Sequence, residues 1–154
     1  MELEGKVAII TGAASGIGEA CAHAFAREGC QVAIVDVNHE GATKVADAVE
    51  GIAIHCDLGD PSAIAAMVEQ VETGLGPVDL LFNNAGIGSG SDIFSSPIDE
   101  WQKQWDVNLM SHVHAARAVL PGMLSRGEGY LLHTASMAGI LSSHGNLPYA
   151  VSKH

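Results

Sequence analysis

The sequence predicts an α/β protein whose parallel, doubly wound sheet carries helices on both faces. Short apolar, β-branched runs alternate with segments of helical spacing, which is the pattern of successive βαβ units. Glycine is abundant, at 18 of 154 residues, and clusters at the ends of the predicted strands. With 47% apolar and 16% charged residues the chain can bury one core, and no change in composition marks a second domain.

The first part of the chain contains two strand–helix units. An apolar strand over residues 6–11 precedes a helix over residues 16–27, in which small and apolar residues recur at helical spacing. A second strand over residues 31–37 precedes a helix over residues 40–49. Two positions after each helix stands a glycine, which is a common stop for a helix.

The middle of the chain repeats the pattern. A third strand is predicted over residues 52–55. Asp60 can then cap a helix that has Pro61 at its first position and runs to about residue 72. A fourth strand over residues 78–82 ends in a polar, glycine-containing turn.

The last part is dominated by one long helix. Residues 96–99 form a start that resembles a capping box, and the helix should run to about residue 124. We expect one apolar face to pack on the sheet, formed by Leu109, Val113, Ala116, Leu120 and Met123. A fifth strand over residues 129–134 follows, and helical character resumes at Pro148.

A glycine-rich loop joins the first strand directly to the first helix. It reads Thr11-Gly12-Ala13-Ala14-Ser15-Gly16-Ile17-Gly18. Gly12 permits a tight turn, Gly16 lets the backbone approach a pyrophosphate, and Gly18 allows close packing of helix on strand. The helix N-terminus adds free N–H donors and the positive end of the helix dipole. The loop predicts a dinucleotide site, although glycines in such a turn also occur for steric reasons alone.

Two aspartates follow the second and third strands. Asp36 stands about 20 residues beyond the loop, where a carboxylate accepts hydrogen bonds from the adenosine ribose hydroxyls. Such a carboxylate repels a 2′-phosphate, so Asp36 favours NAD over NADP unless it is only a solvated acid at a strand end. Asp57 either orients the adenine amino group or organises a turn.

Tyr149 and Lys153 are spaced for proton transfer. Residues four apart stack on one face of a helix. An ammonium held near a phenol favours the phenolate, which lowers the pKa of the tyrosine from its ordinary value near ~10. Tyr149 would then serve as a proton donor and acceptor near neutral pH.

With the glycine loop, Asn83-Asn84-Ala85-Gly86 and Tyr149-x-x-x-Lys153 in this order, the chain resembles the short-chain dehydrogenase/reductase family along its whole length. The resemblance implies a Rossmann-like fold, with Asn83 in the turn that stabilises the central sheet. It implies a set of NAD-binding residues: Thr11, Gly12, Ser15, Gly16, Ile17, Gly18, Asp36, Asp57, Leu58, Asn84, Ala85, Gly86, Tyr149 and Lys153.

The resemblance also implies a catalytic set of Asn108, Ser136, Tyr149 and Lys153. Ser136 would hydrogen-bond and polarise a substrate carbonyl or hydroxyl. Tyr149 would exchange the proton while NAD exchanges a hydride with the same carbon. Lys153 would also hold the nicotinamide ribose, and Asn108 would join a proton relay through water.

Alternatives to this set remain open. Ser142 or Ser143 could serve in place of Ser136, or Ser136 could be a turn residue. Asn108 could be a structural asparagine within its helix. His144 either lines the substrate cleft or is an exposed loop residue.

Composition narrows the classes of function. A net charge of −11, with seven lysines and arginines, argues against nucleic acid. No apolar run approaches the ~20 residues that span a bilayer, and no signal peptide is recognisable. Three cysteines without a paired spacing indicate free thiols and a cytoplasmic protein. We expect no metal, because His112 and His114 should point to different faces of a helix and the other histidines show no ligand spacing.

The sequence therefore predicts a single but incomplete NAD-binding domain over residues 1–154. The sheet would be truncated after its fifth strand, without the C-terminal substrate-binding part. We expect an NAD(H)-dependent oxidoreductase acting on a small secondary alcohol or ketone, whose full-length form is a homo-oligomer. The alternatives are a cofactor-binding fragment without turnover and a non-enzymatic interaction protein of similar fold.

Overall fold

The computed structural model describes residues 2–141 and 144–154. Five parallel strands form one sheet in the order β3-β2-β1-β4-β5. They are β1 (Val7–Thr11), β2 (Gln31–Asp36), β3 (Ile52–His55), β4 (Leu80–Asn83) and β5 (Tyr130–His133). The chain moves outward from β1 to β3, then crosses back and continues from β4 to β5. This reversal confirms the doubly wound, Rossmann-like prediction and places a switch point between β1 and β4, where ligands bind in such sheets.

In the described residues, six α-helices connect and follow the strands. They are α1 (Gly16–Arg27), α2 (His39–Ala48), α3 (Pro61–Gly74), α4 (Ile98–Trp105), α5 (Ser111–Arg126) and α6 (Leu147–Lys153). A π-helical segment, Asp106–Met110, joins α4 to α5, and a 3-10 turn, Met137–Gly139, precedes α6. None of the helices in the described part of the chain is long and apolar enough to cross a membrane.

The core lies in two layers, one on each face of the sheet. Successive residues of a strand point to opposite faces, so Ile9 packs with α3 and α5 while Ile10 packs with α1 and α2. Both side chains are fully buried. Because helices cover both faces of the sheet, the sequence of β1 is apolar throughout rather than alternately apolar and polar.

The predicted start of the long helix was wrong in detail. Pro97 occupies the N-cap position and makes no side-chain cap. The Ser96 hydroxyl instead donates to Ser91 Oγ at 2.8 Å. By contrast, Asp60 caps α3 as predicted, because its carboxylate accepts from the Ser62 amide at 2.8 Å.

The long helix is also interrupted, and its buried face differs from the predicted one. Its buried residues along α5 are Ser111, Ala115, Val119 and Met123. Val113, expected in the core, is 40% exposed, and only Met123 belongs to both sets. Spacing alone offered two adjacent faces, and the one observed to be buried packs Ala115, Val119 and Met123 with residues of α3.

Candidate active site

A cleft of about 660 Å³ lies at the carboxyl ends of the strands, at the switch point. Among its walls are eleven of the residues predicted for the site: Gly12, Ser15, Ile17, Asp36, Asp57, Leu58, Asn84, Ala85, Gly86, Tyr149 and Lys153. Thr11, Gly18 and Asn108 are buried away from this lining. Gly16 and Ser136 also lie outside it. The fold thus brings part of the glycine loop into one cleft with Tyr149 and Lys153.

The three glycines of the loop meet three different steric demands. Gly12 has φ +64°, and a Cβ there would lie 2.8 Å from Ala85 Cα. A Cβ on Gly18 would collide with the Gly12 carbonyl oxygen and lie 2.8 Å from Asn84 Nδ2. Gly16 has φ +62° and faces space with no protein atom within 4 Å. The loop is therefore tight where it touches protein and open where the N-terminus of α1 faces solvent.

A polar network ties the ends of β1, β4 and β5 together beneath the cleft. Thr11 Oγ1 accepts from the backbone amides of Asn84 at 3.0 Å and Ala85 at 3.1 Å. Asn84 Nδ2 donates to the carbonyls of Thr11 at 3.0 Å and Gly12 at 3.3 Å. Asn84 Oδ1 in turn accepts from Thr134 Oγ1 at 2.9 Å. These contacts fix the turn after β4 against the glycine loop.

Asp36 closes β2 against the same loop. Its Oδ2 accepts from the Ala14 amide at 3.1 Å, and its Oδ1 accepts from the Asn38 amide at 2.9 Å. The side chain is half-buried and lines the cleft, so it is not merely a solvated acid. Lys103 and Lys153 are the basic residues of the described lining, and both lie on helices that follow β4 rather than beside β2.

Asp57 organises a turn, which is one of the two roles predicted for it. Its Oδ1 accepts from the Gly59 amide at 2.9 Å, which organises the turn after β3. The residue also lines the cleft, beside the buried Leu58.

Asn108 lies in the π-helical segment and is 2% exposed. Its Oδ1 accepts from the Ile87 amide at 2.7 Å, and its Nδ2 donates to the Ile87 carbonyl and to Ser152 Oγ, both at 2.8 Å. Both hydrogens of the amide are therefore used. A π-helical turn accommodates an extra residue and often marks a functional site. Here it places Asn108 between the loop after β4 and helix α6.

Tyr149 and Lys153 lie on α6, one turn apart as predicted. Lys153 Nζ is 5.9 Å from the centroid of the Tyr149 ring. A Cβ on Gly86 would lie 3.6 Å from Lys153 Nζ and 3.3 Å from Asn108 Oδ1, so the ammonium lies beside this turn. Burial lowers the pKa of Lys153 from its ordinary 10.5. The site thus holds a phenol and a partly desolvated ammonium on one wall.

Ser136 caps the 3-10 turn that packs against α6. Its Oγ accepts from the Ala138 amide at 3.1 Å, and a Cβ on Gly139 of the same turn would collide with the Lys153 carbonyl oxygen. The two serines that could serve in place of Ser136, Ser142 and Ser143, lie outside the described residues. His144 is exposed.

Several cleft residues were missed by sequence reasoning: Val37, Cys56, Ile87, Gly88, Lys103, Val107, Thr134 and Asn146. Val37, Cys56, Ile87 and Val107 directly adjoin predicted site residues, so adjacency along the chain could have identified them. Lys103 and Asn146 carried no such signal.

Histidines form two pairs that sequence spacing did not show. His112 and His133 have Nδ1 atoms 3.4 Å apart, and the rings of His39 and His55 have centroids 6.3 Å apart. Burial, and then the charges of Lys153 and His133, lower the pKa of His112 to about 4. Within residues 2–141 and 144–154, no group of three or more His, Cys, Asp or Glu side chains is placed to hold a metal ion.

Comparison with known proteins agrees with this geometry. The family model described as short chain dehydrogenase matches residues 6–154. A 1-deoxy-11-beta-hydroxypentalenate dehydrogenase of Streptomyces avermitilis is 38% identical, over 100% of this chain and 60% of that protein. The structure of a short chain dehydrogenase/reductase from Burkholderia phymatum in complex with NAD superposes with a TM-score of 0.96, at 35% identity over 100% of this chain and 57% of that one.

A 7 alpha-hydroxysteroid dehydrogenase, complexed with NADH and 7-oxo glycochenodeoxycholic acid, gives a TM-score of 0.92. Its identity is 34%, over 99% of this chain and 61% of that one. The chain spans about 60% of the length of each of these relatives. The match in sequence, topology and motif order together shows that the chain belongs to the short chain dehydrogenase family.

Proposed function

We propose that this chain forms the cofactor-binding and proton-transfer part of an NAD(H)-dependent oxidoreductase acting on a secondary alcohol or ketone. One observation carries the proposal: a single cleft joins the glycine loop and Asp36 with Tyr149 and Lys153. A dinucleotide is long enough to reach from a strand-end acid to residues on α6. Its relatives are named dehydrogenases, and two solved relatives contain NAD or NADH.

The residues present fit an NAD molecule. Asp36 would accept from the adenosine ribose hydroxyls with lone pairs beyond those already bonded to Ala14 and Asn38. The N-terminus of α1, exposed at Gly16, would bind the pyrophosphate through backbone N–H groups. Gly86 and Lys153 would lie along the nicotinamide ribose. The carboxylate of Asp36 would repel the 2′-phosphate of NADP, so NAD is the proposed cofactor.

The bound nicotinamide supplies a two-electron acceptor or donor of hydride at the substrate carbon. In oxidation, the C–H bond of the alcohol breaks as the hydride leaves, and the O–H proton passes to the Tyr149 phenolate. Ser136 would hydrogen-bond the same oxygen as the carbonyl forms. In reduction these transfers reverse. The Lys153 ammonium, on the same wall of the cleft, would offset negative charge that develops on the Tyr149 oxygen during the transfer.

Asn108 would act by positioning rather than by contact with substrate. Its amide hydrogens are committed to Ile87 and Ser152, so the side chain holds the loop after β4 and α6 in register. The relative position of these two segments sets the distance from Tyr149 and Lys153 to the turn after β4, along which the cofactor would lie. Small errors in such distances are expected to slow the reaction severely.

Other properties of the protein follow from composition and surface. We propose a reducing, cytoplasmic location, because Cys21, Cys30 and Cys56 are free thiols. The acidic net charge of −11 favours small-molecule partners over nucleic acid. The half-exposed apolar face of α5 around Val113 supports a homo-oligomer in the full-length protein.

The test is a pair of measurements on this chain. Fluorescence titrations with NADH and NADPH should give saturable binding, tighter for NADH. NADH absorbance should then rise when NAD and a panel of secondary alcohols are added. Failure to bind either dinucleotide would overturn the proposal. Equal affinities would contradict the cofactor assignment, and binding without turnover would restrict the function of this chain to cofactor binding.

A further inference from the structure

We propose that Lys103 is a further cofactor-binding residue, whose ammonium attracts the anionic diphosphate of the dinucleotide to the cleft. The inference rests on the proposed function and adds a residue outside the glycine loop, the strand-end acids and the Tyr–Lys pair. Lys103 lies on α4, is exposed and lines the cleft.

The wall that carries Lys103 meets the adenosine end of the cleft. Val107, one helical turn further along the chain, lines the same cleft. A Cβ on Gly59 would lie 3.9 Å from Val107 Cγ2, so this wall contacts the turn after β3. At the start of that turn the Cys56 amide donates to the Asp36 carbonyl at 3.2 Å. The turn therefore adjoins the acid to which the proposed function assigns the adenosine ribose.

The ammonium of Lys103 has no carboxylate partner in the described part of the chain. Lys6 and Lys44 each form an ion pair with a glutamate, but the ion pairs found among the described residues do not include Lys103. Two acids about one turn away, Glu100 and Asp106, accept hydrogen bonds from uncharged side chains instead. The positive charge of Lys103 is therefore free to act on an anionic ligand.

The charge balance of the cleft gives this ammonium its importance. The chain has a net charge of −11 and repels an anionic cofactor at long range. The described lining adds two carboxylates, those of Asp36 and Asp57. Its two ammonium groups lie on different elements, and that of Lys153 is half-buried on the wall with Tyr149. Lys103 therefore supplies positive charge to the wall that meets the adenosine end.

The experiment measures NADH affinity by fluorescence titration as the charge at this position is changed. Lys103→Met keeps the length of the side chain and should weaken binding about 2–5-fold, as expected for one exposed charge. Lys103→Glu should weaken binding about 4–25-fold, because reversing the charge doubles the change in free energy. Lys103→Arg should bind as the parent does. Circular dichroism will check that each variant keeps the fold, which the exposure of Lys103 favours.

Salt and a second lysine provide the controls. The effects should be largest at ~0.01 M salt, where the Debye length is ~30 Å, and should nearly vanish at ~1 M, where it is ~3 Å. Lys44→Met makes the same change in net charge on α2, outside the cleft lining, and should leave the NADH affinity unchanged. An equal loss in Lys44→Met and Lys103→Met would mean that only the overall charge matters, and would overturn the proposal.

Competition with ADP and adenosine identifies the part of the ligand that is recognised. Lys103→Met should weaken ADP binding and leave adenosine binding unchanged, because adenosine has no diphosphate. Equal weakening of both would show that the lysine stem packs on the nucleoside, and would overturn the proposal. An unchanged NADH affinity in Lys103→Met would overturn this inference alone. Absence of NADH binding to the parent chain would overturn the proposed function as well.

Discussion

Asn108 Nδ2 donates a hydrogen bond to Ser152 Oγ at 2.8 Å, joining the π-helical segment to helix α6. Ser152 Oγ donates in turn to the Tyr149 carbonyl at 2.8 Å. The short helix that carries Tyr149 and Lys153 is thus attached to the interior through Ser152, which lies between them in sequence. Its stability therefore depends on a buried polar network as well as on its seven residues.

Asn108→Ala should destabilise the chain by about 2–4 kcal/mol, because it leaves the amide and carbonyl of the half-buried Ile87 without their partner. Urea unfolding will measure the change. Asn38→Ala is the control, since it removes an exposed cap on α2 and should cost only about 1 kcal/mol. A loss no greater than that of the control would show that the network is dispensable.

Asp36→Ala should weaken NADH binding roughly 10–100-fold. It should also reduce the ratio by which the chain prefers NADH to NADPH. The reason is the loss of charge-assisted hydrogen bonds to the ribose, worth about 1.5–3 kcal/mol. NADH and NADPH fluorescence titrations will measure both affinities. Asp47→Ala, an exposed acid on α2, should change neither. An unaltered preference in Asp36→Ala would remove this residue from cofactor selection.

Tyr149→Phe should reduce any alcohol oxidation by roughly 10²–10⁴-fold while preserving NADH binding, because only the proton-accepting hydroxyl is lost. Initial rates at saturating NAD will show the change. Tyr130→Phe on β5, which is 53% exposed, should keep the parent rate. Full activity in Tyr149→Phe would mean that another group moves the proton.

Gly18→Ala should destabilise the chain by roughly 3 kcal/mol, because the added Cβ has no space between Gly12, Ala13 and Asn84. Gly74→Ala makes the matched comparison at the end of α3. Its Cβ would meet only Ile52 Cδ1 at 3.6 Å, and an alanine there should be neutral or stabilising. Thermal unfolding should give a lower Tm for Gly18→Ala than for Gly74→Ala. Equal Tm values for the two variants would contradict the steric argument.

Stability should fall as pH rises from about 9 to about 11. Burial, followed by nearby aspartates, raises the pKa of the Cys30 and Cys56 thiols from 9.0 to about 11. In this window the unfolded chain has released these protons and the native chain retains them, so the native state loses free energy relative to the unfolded one. Cys56→Ala should lose less stability across the window than the parent. Parallel curves from urea unfolding would show that the thiol does not contribute.

Much of the fold was predictable because its signals are local. The strand–helix alternation, the glycine stops and the Asp60–Pro61 cap each depend on neighbouring residues, and the observed elements agree with them within a few positions. The candidate site was predictable for a related reason. Parallel strands bring their carboxyl ends to one edge, so residues after β1, β2, β3 and β4 had to meet there.

Where the prediction failed, the deciding contacts came from distant parts of the chain. Ser96 forms its bond with Ser91 rather than capping α4, and α5 buries Ala115 rather than Val113. Periodicity identifies possible faces of a helix but not the surface against which it packs. The partners of Asn108 are 21 and 44 positions away, which no spacing rule reaches.

The sequence by itself determined the order of the elements, the glycine loop, the acid after β2 and the Tyr–Lys spacing, because each arises from local conformation or fixed helical geometry. The tertiary structure alone decided the π-helical segment, the attachment of α6 through Ser152, and the meeting of His112 with His133. These relationships depend on how α5 and α6 pack against the sheet. Packing sums many weak contacts over the whole chain, so residues that show no common pattern in sequence can lie within bonding distance.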